Sequence, residues 1–464
     1  MASTQIDERR VQVLNDTDPK PDRAHVLYWM QHSQRSEHND ALEYAVQRAN
    51  DHGVPLLVAF GLTEDYPDAN ERHFRFMLEG LQQTAQAISR RNIGFTLRFG
   101  SPPDVCRELA TDAVEVVTDR GYLRHHRQWR ENVASGIDVR LTQIEADLVV
   151  PVETASNKRE YAARTIRSDI EEVVDDFLRP LATTAVNEHF SGDAGGESLD
   201  DLDAILGEMN IDRSVQPVDW IRGGTNAAKA RLNEFLEKDL TGYDDARQDV
   251  CAAQVSFLSP YLHLGMISPV EVALRVREAR QRRTDDIDSY LEELLVRREL
   301  THNFCFYSRD DYDQFGCLPD WASETLESHK DDSREKVYTA EEIENAETED
   351  AVWNAAMMEV KHRGYLHNQL RMYWGKKFLE YTNTPAYAYR TLLDLNNKYF
   401  LDGRDANSYA NVGWIFGLHD RAHQERSIYG KVRYLSRDGL NRKFDVETYV
   451  RQIKDRYGDV RGEL

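Results

Sequence analysis

The chain has 464 residues, with 58 Lys and Arg against 81 Asp and Glu and a formal net charge of -23. That length exceeds one ordinary core, so two domains are expected. No apolar run reaches the roughly 18 residues that cross a bilayer, and the N-terminus is polar, so the reading is a cytoplasmic chain without a membrane partner.

Cys106, Cys251, Cys305 and Cys317 are scattered, with no CxxC pair and no nearby His cluster, which argues against a bound metal, an iron-sulfur centre or a disulfide framework. An acidic balance normally counts against nucleic acid, because Lys and Arg neutralise the phosphates. The distribution weakens that objection: from 421 to 456, ten Lys and Arg face five Asp and Glu. Such a stretch is either a nucleic-acid contact or a solvated helix face. The 45 Arg and 13 Lys set among 81 carboxylates are read as adaptation to a salt-rich cytoplasm.

A polar leader occupies residues 1–23. After it, 24–30 (AHVLYWM) is predicted as a buried strand and 39–52 as a helix. The alternation repeats: strand 55–62, helix 71–91, strand 94–100, helix 102–111, strand 114–119, and an extended segment within 139–152. Strands alternating with helices imply a Rossmann-like α/β domain with a parallel sheet over 24–186. No GxGxxG follows the first strand, so no dinucleotide is assigned there, and a crevice at the carboxyl ends of the strands is left for another ligand. Residues 154–161 are expected to begin a helix. The Gly-, Asp- and Ser-rich stretch 187–215 is read as an interdomain linker. From 216 to 464 the pattern is helix after helix, punctuated by Pro260, Pro269 and Pro385, which predicts an all-α domain.

Three stretches of the helical half carry chemistry. SFLSPYLHLGMIS at 256–268 places hydroxyls ahead of a proline-started helix, suited either to N-capping or to holding a phosphate. EELLVRRELTHNF at 292–304 sets Glu293 four residues before Arg297, a spacing for a helical ion pair. The third runs from Trp353 to Trp414, where Trp374 and Tyr381 are seven residues apart and fall on one helical face. That face is either plain core or a row of redox-capable rings.

Together these motifs resemble one family. LSPYLHLGMIS, RRELTHNFC at 297–305, Trp353-Asn354, RMYW at 371–374, LDGRD at 401–405 and His419-Asp420-Arg421 occur in the order of the cryptochrome/photolyase superfamily, with VLYWM at 26–30 and EYAART at 160–165 extending the match into the first domain. The likeness is to the class II cyclobutane pyrimidine dimer photolyases. It implies an antenna domain, a helical domain holding FAD, and light-driven repair of double-stranded DNA containing a pyrimidine dimer, by a monomer.

Position by position, the resemblance implies that Tyr243, Ser256, Leu258 and Ser259 hold the FAD phosphates and ribityl chain. Arg298, Asn368, Arg371, Asp402 and Asp405 would surround the ring, with Asn396 at its N5 edge. Glu293 would contact the dimer and Trp414 would pack beside it. Trp374 and Trp353 match an electron-transfer chain whose outer member, usually tryptophan, is Tyr381 here. Arg421, Arg426, Lys431, Arg433, Arg442 and Lys443 are the candidate DNA contacts, and an 8-hydroxy-deazaflavin is the first choice of antenna. Two further departures stand out: the HNQLR run at 367–371 is closer to other photolyase classes, and Ser408 and Asn411 replace smaller residues. A cryptochrome-like photosensor would keep FAD and the tryptophans without needing Glu293, Trp414 or a basic face. A nicotinamide-dependent flavoprotein has no motif in its favour.

Overall fold

The computed structural model describes residues 5–252, 254–279 and 284–463. Five parallel strands form the heart of the first half: β2 (His25–Trp29), β3 (Leu56–Leu62), β4 (Gly94–Phe99), β5 (Ala113–Asp119) and β6 (Leu141–Ile144). A short antiparallel strand β1 (Val11–Val13) from the leader adds to β6, giving the order β1-β6-β5-β2-β3-β4. The central strands read as continuous apolar runs because helices cover both faces. Alternate residues nonetheless separate cleanly. Val26, Tyr28, Val58 and Phe60 pack with Leu42 of α1 (Asp40–His52) and Phe74 of α2 (Glu71–Arg90). Leu27, Trp29, Leu57 and Ala59 pack with Cys106 of α3 (Pro102–Ala110) and Val133 of α4 (Arg124–Gly136).

Residues 187–215, expected as a linker, lie against this domain. The Phe190 and Glu197 amides donate to the carbonyls of Asn92 and Leu97 at 3.0 and 2.7 Å, and Thr96 Oγ1 bonds Gly195 O at 2.8 Å. The open edge of β4 is thereby covered. A helix at Leu202–Glu208, capped by Asp201, buries Leu202, Ile205 and Leu206 in the same core. The expected helical start at 154–161 is smaller than anticipated: a single turn at Val152–Ala155 is followed by irregular chain up to the helix Ala163–Phe177.

Beyond β6 the named regular elements are all helical. The largest core joins the helices Arg298–Tyr307, Ala351–Arg363, Asn368–Tyr381, Pro385–Tyr399, Ala406–Ile415 and Val446–Tyr457 around Phe304, Trp353, Trp374, Phe378, Tyr389 and Phe416. Their starts follow local chemistry. Asp350 accepts from the amides of Val352 and Trp353, Thr384 from that of Tyr387 ahead of Pro385, and Asp405 from Ala406.

Candidate functional site

The helix Pro385–Tyr399 ends in a turn that Gly403 allows to close. A Cβ there would lie 2.8 Å from the Asn396 carbonyl oxygen and 2.9 Å from that of Phe400. Closure brings Asp402 to Arg371, whose Nη2 donates to both carboxylate oxygens at 3.0 and 3.3 Å. The same guanidinium lies over the Phe400 ring, 4.0 Å from its centroid. A mostly buried, carboxylate-oriented cation of this kind favours negative charge on whatever binds next to it. Asn396 is buried one turn before the helix end and donates to Asn397 Oδ1 at 3.1 Å, while Asn368 opens its helix on the exposed side.

A second wall comes from the loop before Pro260. Tyr243 is buried edge-on to Tyr290 at 5.5 Å, and Tyr290 hydrogen-bonds Ser256. The Leu258 amide donates to Ser256 Oγ at 3.4 Å. The helix Ser259–His263 is five residues long and Ser259 does not cap it, so the hydroxyls rather than a helix dipole are what this loop offers an anion. Phe257 holds a left-handed backbone with φ 52°, which turns its ring onto Tyr365 at 4.9 Å. Tyr365 is half-buried next to the charges of Arg371 and Asp402 and so joins the two walls.

A groove of about 620 Å³ opens beside the loop wall, lined by Val255, Phe257, Arg363, Tyr365 and His367 among others, with Arg371 and Asp402 outside its lining. That size is within the roughly 300–1,000 Å³ usual for small-molecule sites. Burial pushes His367 down to about 4, so it is neutral; its Nδ1 accepts from the Gln369 amide, and its Nε2 is buried without a partner, as is Trp374 Nε1. Orphaned polar atoms beside an anion-stabilising pair fit the expected flavin.

Glu293 lies in a π-helical turn, Glu292–Arg297, and this breaks the expected pairing with Arg297. Arg297 Nε instead donates to Glu292 at 3.2 Å, and Glu293 accepts from Arg247 at 2.9 Å with its side chain 45% exposed. Arg247 carries no local sequence signal, because the contact spans 46 positions.

Two further expected ring contacts are tied to protein partners. Arg298 is buried against the first domain, donating to the Asp147 carbonyl at 2.8 Å and its carboxylate at 2.6 Å. His32 and His302 contact the same carboxylate at 3.2 Å each. Asp405 caps the helix Ala406–Ile415 and faces His263 at 3.8 Å; hydrogen bonding and nearby cations hold it far below the usual carboxylate range despite burial. Arg298 therefore belongs to a charged seam between the two halves, and Asp405 is held within the helical half.

The aromatic row is rearranged relative to a single helical stripe. Trp353, from the neighbouring helix, sits between the other two rings: it stacks on Trp374 at 6.3 Å and 18°, and meets Tyr381 edge-on at 5.5 Å. Its Nε1 donates to the Trp374 carbonyl at 2.9 Å. At the inner end Trp374 contacts Phe400 at 5.9 Å, the ring that Arg371 covers.

Trp414 ends the helix Ala406–Ile415 half-buried, with Lys376 Nζ 5.1 Å and Arg433 Cζ 5.7 Å from its ring centroid. Among the candidate DNA contacts, Arg421, Arg426, Lys431, Arg442 and Lys443 are exposed, whereas Arg433 is half-buried and forms an ion pair with Asp420. Lys443 bonds Gln369, so this basic stretch borders the start of the Arg371 helix.

A separate, nearly filled cavity lies at the carboxyl ends of β2 and β3, where sequence reading left a crevice open. Asp119 at the end of β5 shapes it by accepting from the amides of Gln31, His32 and Ser33 at 2.6–2.8 Å. His32, Tyr66, His126, Trp129, His263 and Arg404 face it, and the free space amounts to about 50 Å³, so a tricyclic ligand would require these side chains to withdraw. Groups of His, Cys, Asp or Glu able to hold a metal are absent among the described residues.

Residues 26–186 match the family described as DNA photolyase. Over 450 residues the chain is 43% identical to a deoxyribodipyrimidine photo-lyase of Methanothermobacter thermautotrophicus, covering 97% of this chain and 99% of that one. It is 36% identical over 454 residues to the deoxyribodipyrimidine photo-lyase of Potorous tridactylus, covering 97% and 85%. A class III photolyase from Agrobacterium tumefaciens shares the fold, with a TM-score of 0.72 over 93% of this chain and 87% of that one at 18% identity.

Proposed function

Because the chain belongs to the deoxyribodipyrimidine photo-lyase family, we propose that it is a class II enzyme that repairs cyclobutane pyrimidine dimers in double-stranded DNA with light and bound FAD. The observation that carries the repair reading is Glu293, half-exposed and held by Arg247 at 2.9 Å; the aromatic path, in which Tyr381, Trp353 and Trp374 run from the helix end to the Phe400 ring against the Arg371–Asp402 pair, supports the flavin photochemistry.

Reduced FAD, when bound, supplies the electron that opens the cyclobutane ring under illumination and takes it back afterwards. Arg371, oriented by Asp402, would stabilise negative charge on the ring, and Asn396 would present its amide at the edge. Tyr243, Ser256, Leu258 and Ser259 would hold the phosphates and ribityl chain, with Asn368 at the rim. Arg298, held by Asp147, and Asp405, facing His263, would complete the surroundings of the ring. Glu293, steered by Arg247, would hydrogen-bond the dimer and stabilise the charge it gains, and Trp414 would pack against bases turned out of the helix. Arg421, Arg426, Lys431, Arg433, Arg442 and Lys443 would follow the DNA backbone. The cavity over β2 and β3 would take an 8-hydroxy-deazaflavin antenna, and the enzyme would work as a monomer in a salt-rich cytoplasm.

The alternative, a photosensor of the cryptochrome kind, has no use for Glu293 beside Arg247 or for a row of exposed cations, and both favour repair. The deciding experiment illuminates reduced holoprotein with a dimer-containing duplex and counts restored thymines. Absence of light-dependent restoration would sink the repair reading. In the same assay Glu293→Gln is expected to keep its FAD and lose about tenfold in repair yield.

A further inference from the structure

Lys376 is fully buried, two residues beyond Trp374 on the same helix. Its Nζ donates to the carbonyl of Ile415, the last residue of the helix that carries Trp414, and lies 5.1 Å from the Trp414 ring centroid. The two helices meet closely at this point: a Cβ on Gly375 would be 2.9 Å from Ile415 Cδ1. A helix end leaves carbonyls without partners, and an ammonium satisfies one of them. An uncharged chain of the same length would fill the space without the cost of desolvating a charge. The charge therefore calls for a reason beyond packing, and the adjoining ring provides one.

The charged groups around Lys376 are engaged with one another. On its own helix Lys377 pairs with Glu380 at 2.7 Å, and the Tyr429 hydroxyl donates to Glu380 at 2.7 Å. On the segment after Trp414, Arg433 bonds both oxygens of Asp420 at 2.8 and 2.9 Å, with His423 at 3.4 Å. Burial brings the Lys376 ammonium down to about 7, opposed by Asp420 and reinforced by Arg433. The charge over Trp414 is thus favoured by acid and disfavoured by base.

We propose that Lys376 is a positioning residue for dimer recognition, which ties down the Ile415 carbonyl and holds a positive charge over Trp414, thereby setting the surface on which the turned-out bases pack. This rests on the reading of Trp414 as the wall of the dimer site.

The test measures the affinity of FAD-loaded protein for a duplex with one thymine dimer and for the undamaged duplex, from pH 6 to pH 8.5 at fixed KCl. Flavin content and photoreduction rate are followed in parallel. In the unaltered protein the ratio of the two affinities is expected to fall about fivefold across that range, and to do so equally in His423→Gln. Lys376→Met should show the low ratio at every pH with flavin content and photoreduction retained, and Lys376→Arg should hold the high ratio throughout. An unchanged ratio in Lys376→Met would overturn the proposal. So would a parallel loss of ratio, flavin and photoreduction that Lys376→Arg does not rescue, since that marks a purely structural lysine. If Lys376→Met does not fold, a flat profile in the unaltered protein and in His423→Gln overturns it. Equal affinity for damaged and undamaged duplex at all pH values would instead refute the repair reading itself.

Discussion

Tyr381 occupies the outer end of the aromatic path, buried and edge-on to Tyr338 at 5.1 Å. Burial first, then the carboxylates of Asp350 and Glu380, hold its phenol well above the ordinary tyrosine value. An oxidised phenol sheds its proton, so electron supply through this residue should depend on proton release. Photoreduction is therefore expected to slow in D2O, and to slow similarly in Tyr381→Phe in ordinary water with the D2O effect lost. Equal rates in both solvents would show that the electron leaves by another route. Trp374→Phe is expected to cut photoreduction by at least about tenfold, while enzyme reduced beforehand repairs at close to the normal rate. The two readouts separate the path from the reaction. The residues that sequence reading missed, Arg247, Tyr290 and Lys376, act through partners far along the chain, and no local spacing announces them.

At the level of elements, α2 does more than cover the sheet. Its second residue, Arg72, donates to the carbonyls of Val360 and Lys361, at the end of the helix carrying Trp353, and to that of Tyr399, at the end of the helix carrying Asn396. His73 Nε2 donates to the Phe400 carbonyl at 3.1 Å, inside the turn that sets Asp402. One end of a helix of the first half thus caps two helices of the second. Burial lowers the Arg72 guanidinium to about 10, so it remains charged at neutral pH. Arg72→Leu would strand buried carbonyls, and a loss of roughly 3 kcal/mol of stability is expected. Denaturant midpoints and flavin retention measure it; a change below about 0.5 kcal/mol would show the cap to be dispensable. The element pattern was mostly legible beforehand, since caps such as Asn39, Asp350 and Thr384 act within their own turn. The π-helical turn at Glu292–Arg297 was not, because its distinctive partners lie in other elements.

Over the whole molecule, a charge of -23 is carried by a protein whose site needs a cation at Arg371 and whose proposed DNA face is basic. Screening by salt relieves repulsion among the carboxylates faster than it weakens a buried pair. Stability is therefore expected to rise from dilute buffer into molar KCl, and repair at saturating DNA to follow it, because phosphate contacts by the basic face weaken as salt rises; midpoint temperatures and restored thymines are the measures. Full stability and activity in dilute buffer would remove the halophilic reading. Composition, periodicity and the order of motifs were enough to determine two halves, a parallel sheet followed by helices, and the family resemblance, because each depends on neighbours a few residues apart. The order Trp374, Trp353, Tyr381 was implied by the resemblance, whereas only the tertiary structure decided that Arg298 is held by Asp147 and that Glu293 answers to Arg247. The reason is that a side chain's partner across a helix crossing or a domain boundary is set by how whole elements pack, and spacing along one element carries no record of it.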